Sequence, residues 1–294
     1  MAKRHLSNRS TAPVTPAASV HEQLGLAPGQ SVALLKALHI LTREGKLNQD
    51  SRRKLKQVNH LLQFIEPLLD KVLATSGTVT LADHGAGKSY LGFMLYDRFF
   101  AQRSTGHVYG IETRTELVER SRELARELGF ARMSFLPLSV QAATTSTELP
   151  PRIDVVTALH ACDTATDDAI AFGLAKQARH LVLVPCCQAE VAAALRKHKA
   201  LSGARSPLSE LWRHPLHARE FGSQITNVLR CLQLEAHGYQ VTVTELVGWE
   251  HSMKNELILA SHGATAPQVA RARERLAQVL QEMALPELQA RFAV

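Results

Sequence analysis

A run of β-type residues, Thr78-Val79-Thr80-Leu81, passes through Ala82-Asp83-His84-Gly85-Ala86-Gly87-Lys88-Ser89 into the apolar stretch Tyr90 to Phe100. A strand that turns through glycines into a helix presents backbone N–H groups and a positive dipole end to whatever lies in front of it. That order predicts an α/β fold with a cofactor loop at the carboxyl end of its first strand.

Two cofactors compete for the loop. Ala82-x-x-x-x-Gly87-Lys88-Ser89 fits a relaxed phosphate-loop pattern, but Asp83 would set a carboxylate beside a triphosphate. Asp154, the candidate Mg²⁺ ligand, stands at the start of its predicted strand rather than at its end. S-adenosylmethionine suits the same residues better, because it has no phosphates and carries an ammonium and a sulfonium. Asp83 is then expected to bind its amino-acid end, with Gly85 and Gly87 allowing close backbone approach. The next predicted strand, Gly106 to Glu112, ends in an acid, which in a dinucleotide-type fold accepts the ribose hydroxyls.

At 294 residues and 45% apolar content the chain has enough material for one substantial core and an accessory helical piece. It has no apolar run of membrane-spanning length and no secretory h-region, and its four cysteines point to a reducing compartment, so the expectation is a cytoplasmic protein. A formal charge of +7 favours a polyanionic partner, RNA first, or else a merely basic enzyme.

In chain order, residues 1–28 read as a mobile basic arm and 29–75 as an N-terminal helical extension. The extension holds a helix from Ser31 to Leu41 and a longer one from a cap at Asp50 or Ser51 to Ala74. Over residues 43 to 57 six basic residues face two acidic ones, with Arg52, Arg53, Lys54 and Lys56 in the first turns of the long helix. Such a run is either a solvated face or a substrate-binding surface. Residues 76–262 form the catalytic domain, and 263–294 a tail with a surface helix from Pro267 to Met283. A helix over Thr113 to Leu128, laced with pairs such as Glu116 and Arg120, separates the second strand from the third. Further strands are expected at Met133 to Leu138, Ile153 to Leu159, His180 to Val184, Tyr239 to Val247 and Glu256 to Ala260, the last two antiparallel and preceded by a helix around Ser223 to His237. The third strand leads to Ser139, where an acid facing an adenine amino group is more usual. The fourth runs into His160-Ala161-Cys162-Asp163, and the fifth into Pro185-Cys186-Cys187-Gln188. Ligands in open α/β sheets bind outside these strand ends, so three cysteines are expected to converge beside the cofactor.

Asp83-x-Gly-x-Gly-Lys, His160-x-Cys162-x-x-Ala165-Thr166-Asp167, Pro185-Cys186-Cys187 and Glu250-His251-x-x-Lys254-Asn255 together carry a resemblance. The chain resembles the S-adenosylmethionine-dependent methyltransferase domain of the glutathione S-transferase C-terminal domain-containing protein and its bacterial relatives. More distantly it is similar to eukaryotic tRNA 2′-O-methyltransferases. Asp163 stands where that family usually has Gly, and Ser89 where it often does. The resemblance implies a Rossmann-like seven-stranded methyltransferase sheet with an N-terminal helical extension.

Asp83, Gly85, Gly87, Glu112, Ser139 and His160 are the candidate donor-binding residues. His160, Cys162 and Asp163 are the candidate catalytic residues, either managing the acceptor's proton or only shaping the pocket. Lys88, Arg52, Arg53, Lys54, Lys56, Cys186, Cys187, Lys254 and Asn255 are the candidate acceptor contacts. A thiolate route through Cys186 or Cys187, as in cytosine C5 methylation, is disfavoured by their place after the fifth strand. No metal is expected, since adjacent cysteines suit a tetrahedral ion poorly and no C-x-x-C exists. The expected activity is methyl transfer to RNA. A protein or small-molecule acceptor, or a non-catalytic donor-binding module, stays open.

Overall fold

The computed structural model describes residues 21, 26, 30–159, 163–185, 188–202, 207–246, 256–283 and 285–294. The expectations placed on His160, Cys162, Cys186, Cys187, Lys254 and Asn255 lie outside the described residues, as does nearly all of the N-terminal arm.

The first helix, α1 (Val32–Ala37), is capped by the Ser31 side chain and stops short of Leu41, because His39 takes a left-handed φ of 56°. The long helix α2 (Gln49–Ser76) begins earlier than expected. Asn48, rather than Asp50 or Ser51, supplies the cap, its Oδ1 accepting the Ser51 N–H at 2.7 Å. Leu55, Val58, Leu62, Ile65, Leu69 and Val72 form its buried stripe, and Gly77 at φ 70° ends it.

Strand β1 (Thr80–His84) lies two residues further along than its sequence signal and takes in Asp83 and His84. It leads through the glycine loop into α3 (Tyr90–Leu95), which widens into a π turn over Tyr96–Phe100. Then come β2 (His107–Ile111), α4 (Thr115–Glu127), β3 (Met133–Leu136), α5 (Val140–Thr145) and β4 (Val155–Leu159). On α4 Arg122 pairs with Glu119, three residues apart, where the sequence suggested Glu116 with Arg120. The chain continues with α6 (Ala165–Ala175), β5 (His180–Val184), α7 (Glu190–Ser202), α8 (Pro215–Ala236), β6 (Tyr239–Glu245), β7 (Glu256–His262) and α9 (Ala266–Glu282).

The seven strands form one sheet of order β3-β2-β1-β4-β5-β7-β6. The first five are parallel, while β7 runs antiparallel between β5 and β6. Buried strand residues alternate between two packed layers. Leu81 and Val108 join the cluster of α1 to α4, whereas Ala82, Val156 and Ile111 join that of α5 and α6. A third cluster binds α7, α8 and α9 to Phe292 near the chain end, so the predicted surface helix α9 buries Ala272, Leu276 and Leu280.

Helix α2 lies along α3 and the π turn in the same direction, because Glu66 pairs with Arg98 and Asp70 with Arg103, both at 2.9 Å. Both segments run against the strands. At 28 residues α2 spans about 42 Å, against about 17 Å for a five-residue strand. Its N-terminal turns, with exposed Arg52, Arg53, Lys54 and Lys56, therefore stand at the carboxyl end of the sheet, where the glycine loop also lies.

Candidate active site

The loop takes its shape from left-handed backbone at Gly85 (φ 67°), Gly87 (φ 57°) and Ser89 (φ 49°). A Cβ added at Gly85 would meet nothing within 4 Å, so the space in front of the loop is open to a ligand. Gly92 serves differently: a Cβ there would come within 2.5 Å of Ser89 Oγ, and its absence lets that hydroxyl lie against the helix.

Asp83 is not at an open strand tip. It is 2% exposed, and its carboxylate accepts the Thr157 hydroxyl at 3.0 Å and the Ser89 hydroxyl at 3.4 Å. Burial pushes its carboxyl up to about 6, with those hydrogen bonds opposing. The carboxylate is thus covered by its partners, whereas the sequence predicts that it meets the donor's amino-acid end directly or through water. Neighbouring His84 is 5% exposed, and neither ring nitrogen has a hydrogen-bond partner among the described residues. Its ring centroid lies 5.7 Å from that of Phe172, and burial pushes the imidazole down to about 4.

Glu112 follows β2, where the sequence placed it. Its Oε2 accepts the Gly87 N–H at 2.8 Å, tying the glycine loop to the second strand's tip. Arg114 completes the cage, with Nε on Oε1 at 3.0 Å, Nη2 on Oε2 at 3.1 Å and its backbone N–H on Oε1 at 3.1 Å. Burial alone would raise the carboxyl, but the Arg114 and Gly87 hydrogen bonds override it and hold the group at about 2. The carboxylate is thus charged throughout the working pH range, and the Arg114 side chain that covers it is itself 59% exposed.

Ser139, expected to contact the donor, stands after β3 at the start of α5. It is exposed and caps α5, its Oγ accepting the Ala142 N–H at 3.3 Å. Lys88 lines a groove of ≈ 350 Å³ with His39, Tyr90, Leu117 and Arg120. The phosphate-loop alternative fares worse: the Ser89 side chain is buried on Asp83, and Asp154 accepts Thr80 N–H and Oγ1 at the opposite end of the sheet, both at 2.9 Å.

Asp163 takes φ 52°, and its Oδ1 accepts the Ala189 N–H at 3.1 Å just ahead of α7. Both positions at which the sequence departs from the family's glycine, Ser89 and Asp163, are therefore held in the left-handed region. Asp163 borders a cavity of ≈ 1070 Å³ at the carboxyl ends of β5 and β6, lined also by Gln188, Arg196, Asn227, Glu245 and Glu256. Behind it Arg230, fully buried, grips Asp167 with Nε on Oδ1 at 2.8 Å and Nη2 on Oδ2 at 2.7 Å. Sequence reasoning missed Gln188, Asn227, Arg230 and Glu256, whose only local signal is the i, i+3 spacing of Asn227 and Arg230 on one face of α8. Cys231, the one cysteine among the described residues, has its thiol pushed up to about 12 by burial and offers no nucleophile.

A parallel sheet with a reversed last pair, a glycine loop after the first strand and an acid after the second define a Rossmann-like methyltransferase fold. Residues 53–194 match the family model described as a methyltransferase domain. No curated protein matches the sequence. Among solved structures, a Klebsiella pneumoniae protein described as an O-methyltransferase aligns at 13% identity and TM-score 0.50, over 82% of this chain and 93% of that one. Magnesium protoporphyrin IX methyltransferase from Synechocystis, with bound SAH, aligns at 16% identity and TM-score 0.43, over 80% and 96%. An rRNA methylase from Streptococcus thermophilus aligns at 9% identity and TM-score 0.42, over 68% and 95%. At these identities the likeness is one of fold. No helix among the described residues is long and apolar enough to cross a membrane.

Proposed function

We propose that the protein transfers a methyl group from S-adenosylmethionine to RNA. The observation that carries the reading is the pairing of Glu112 with Gly87: a fully charged carboxylate is fixed against an open glycine loop, at the place where this fold type accepts ribose hydroxyls. The donor supplies a methyl group on a sulfonium. The chain's own share is to align the acceptor with that methyl in a partly dried cleft, since alignment supplies much of the rate of an in-line displacement. Gly85 and Gly87 let the backbone close on the donor, and Asp83 acts through the loop, by holding Ser89, rather than by touch. Asp163, at the border of the large cavity, is the described carboxylate placed to take an acceptor's proton.

RNA is favoured as acceptor by the exposed basic turns of α2 at the carboxyl end of the sheet, by the formal charge of +7 and by the motif resemblance to tRNA 2′-O-methyltransferases. Cytoplasm is the compartment in which that substrate is met. Calorimetry with S-adenosylhomocysteine and with ATP, followed by labelled donor offered to RNA and protein fractions from cells lacking the protein, tests the reading. Homocysteine-derivative binding and label in RNA are expected. Uptake of ATP alone, or label only in protein, refutes it.

A further inference from the structure

We infer that the cavity bordered by Asp163 seats an unpaired nucleotide, and that Glu256 and Gln188 read the edge of its base. The inference rests on the RNA reading above and adds to it the form of the acceptor.

The cavity floor is a chain of polar side chains whose sense is fixed by one residue. Arg230 can only donate, so the oxygen of Asn227 must face it, and Nη1 reaches Asn227 Oδ1 at 3.1 Å. Asn227 Nδ2 therefore turns to Glu256 Oε2 at 2.6 Å. Gln188 Nε2 donates into the same Oδ1 at 2.7 Å, which leaves Gln188 Oε1 to accept the Ser223 hydroxyl at 2.6 Å. Turning Asn227 over would set donor against donor, and turning Gln188 over would set its oxygen against that of Asn227, so the guanidinium assigns every bond in the row. Among the described residues two capacities are left unspent along the cavity: Glu256 Oε1, an acceptor, and the second N–H of Gln188, a donor.

An acceptor beside a donor complements an edge that carries a donor beside an acceptor. Every nucleobase has one: the amino group next to a ring nitrogen in adenine and cytosine, the ring N–H next to a carbonyl in guanine and uracil. In a duplex that edge is covered by the pairing base, so the nucleotide must arrive unpaired or extruded. The volume of ≈ 1070 Å³ stands at the upper end of the range in which small ligands are enclosed.

The charges around the cavity fix the direction of entry. Glu245 lies directly opposite Glu256 in the β6–β7 ladder, and both line the cavity. Like charges facing each other across strands destabilise a sheet, and the fold keeps this pair at the one edge where a ligand rich in donors would relieve it. With Asp163 and Glu220 these carboxylates keep a phosphate off the floor. Arg196 on α7 and Arg219 on α8, the latter shared with Glu220 Oε1 at 2.8 Å, leave the phosphate a place on the exposed wall. The nucleotide thus enters base first.

The test is a titration of the full chain, saturated with S-adenosylhomocysteine, with AMP, CMP, GMP, UMP and ribose 5-phosphate. At least one nucleotide is expected to bind about tenfold or more tightly than ribose 5-phosphate. Glu256→Gln keeps the side chain's size and the bond from Asn227 but places an NH₂ where the free oxygen stood. It is expected to remove most of that preference while leaving homocysteine-derivative affinity unchanged. Should Glu256→Gln fail to fold, Gln188→Met removes the neighbouring donor and is expected to do the same. Ribose 5-phosphate binding as well as the nucleotides, or either folded variant binding them like the native chain, overturns the inference. RNA that is bound and labelled despite that result would leave the RNA reading standing; label found only in protein would sink that reading itself.

Discussion

Replacing His84 by Leu isolates a cost that the native fold carries. The imidazole is buried with both nitrogens unpartnered, and each unsatisfied buried polar group costs about 1–3 kcal/mol. Leu has a similar volume and no polar atoms, so the variant is expected to be more stable than the native chain at neutral pH. The gain should then grow on acidification. In the unfolded chain the imidazole keeps its ordinary 6.5, while burial holds it at about 4 in the fold. Between those values the unfolded state binds the extra proton, so the native chain loses stability as pH falls and the Leu variant does not lose that share. At about pH 5, some 1.5 units below the unfolded value, the difference amounts to about 2 kcal/mol beyond that at about pH 7.5. Asp83 works the other way: raised from 3.8 to about 6, it withdraws about 3 kcal/mol as pH rises across that window. In the native protein the two adjacent residues nearly cancel between pH 4 and 6. The variant should unmask the Asp83 slope, visible in urea midpoints measured across the window at constant m-value. Parallel profiles for the two proteins, or a variant less stable at every pH, would refute this account of His84.

Other perturbations give separate checks. Arg114→Ala releases buried Glu112 from an ion pair whose arginine is 59% exposed and which solvent therefore screens to about 0–1 kcal/mol, so homocysteine-derivative binding should tighten up to about fivefold by calorimetry, and weaker binding would argue against Glu112 as the ribose acceptor. Glu112→Ala should weaken the same binding by about 1–3 kcal/mol. Arg230→Met strands the buried Asp167 carboxylate and should cost about 3–5 kcal/mol in chemical denaturation, most of it recovered in Arg230→Met with Asp167→Leu; losses that simply add would show the pair to be uncoupled. Replacing Arg52, Arg53 and Lys54 by Ala should lower the slope of log affinity for single-stranded RNA against log salt by about 2, given about 0.7 per phosphate contact. An unchanged slope would mean that α2's first turns are a solvated face.

The parallel core was legible because its strands are near-continuous apolar runs, and His180 to Val184 matches the sequence expectation residue for residue. The first strand was misread by two residues because Asp83 and His84 look like loop, yet Thr157 and Ser89 absorb the first and Phe172 covers the second. Pro67 inside α2 is the kind of residue that ends a helix, but buried apolar residues on both sides of it anchor the helix through that point. The glycines of the loop announced its left-handed turns, whereas Ser89 and Asp163 concealed theirs behind side chains that usually avoid them. The polar floor of the cavity was illegible for a different reason. Arg230 meets Asp167 across 63 residues and Gln188 meets Asn227 across 39, and no local period encodes a pairing made only when α6, α8 and β5 have been brought together.

The reversed pair β6–β7 explains how a chain of charge +7 comes to hold an acidic cavity. Because β7 runs against its neighbours, its first residue and the last residue of β6 meet at the same sheet edge as the parallel strands' carboxyl ends, and that edge receives Glu245 and Glu256 together. The basic turns of α2 reach the same end of the sheet by a different route, through the length of a helix packed on the opposite layer with Val182, Val184 and Leu257. Two unit charges 4 Å apart near a protein surface interact by about 4 kcal/mol, enough to order a ligand that is itself divided in charge. A polynucleotide is such a ligand, anionic along its backbone and rich in N–H donors at its bases, and a sheet end that carries basic turns in one place and an acidic cavity in another orients it where a uniformly basic one would only hold it.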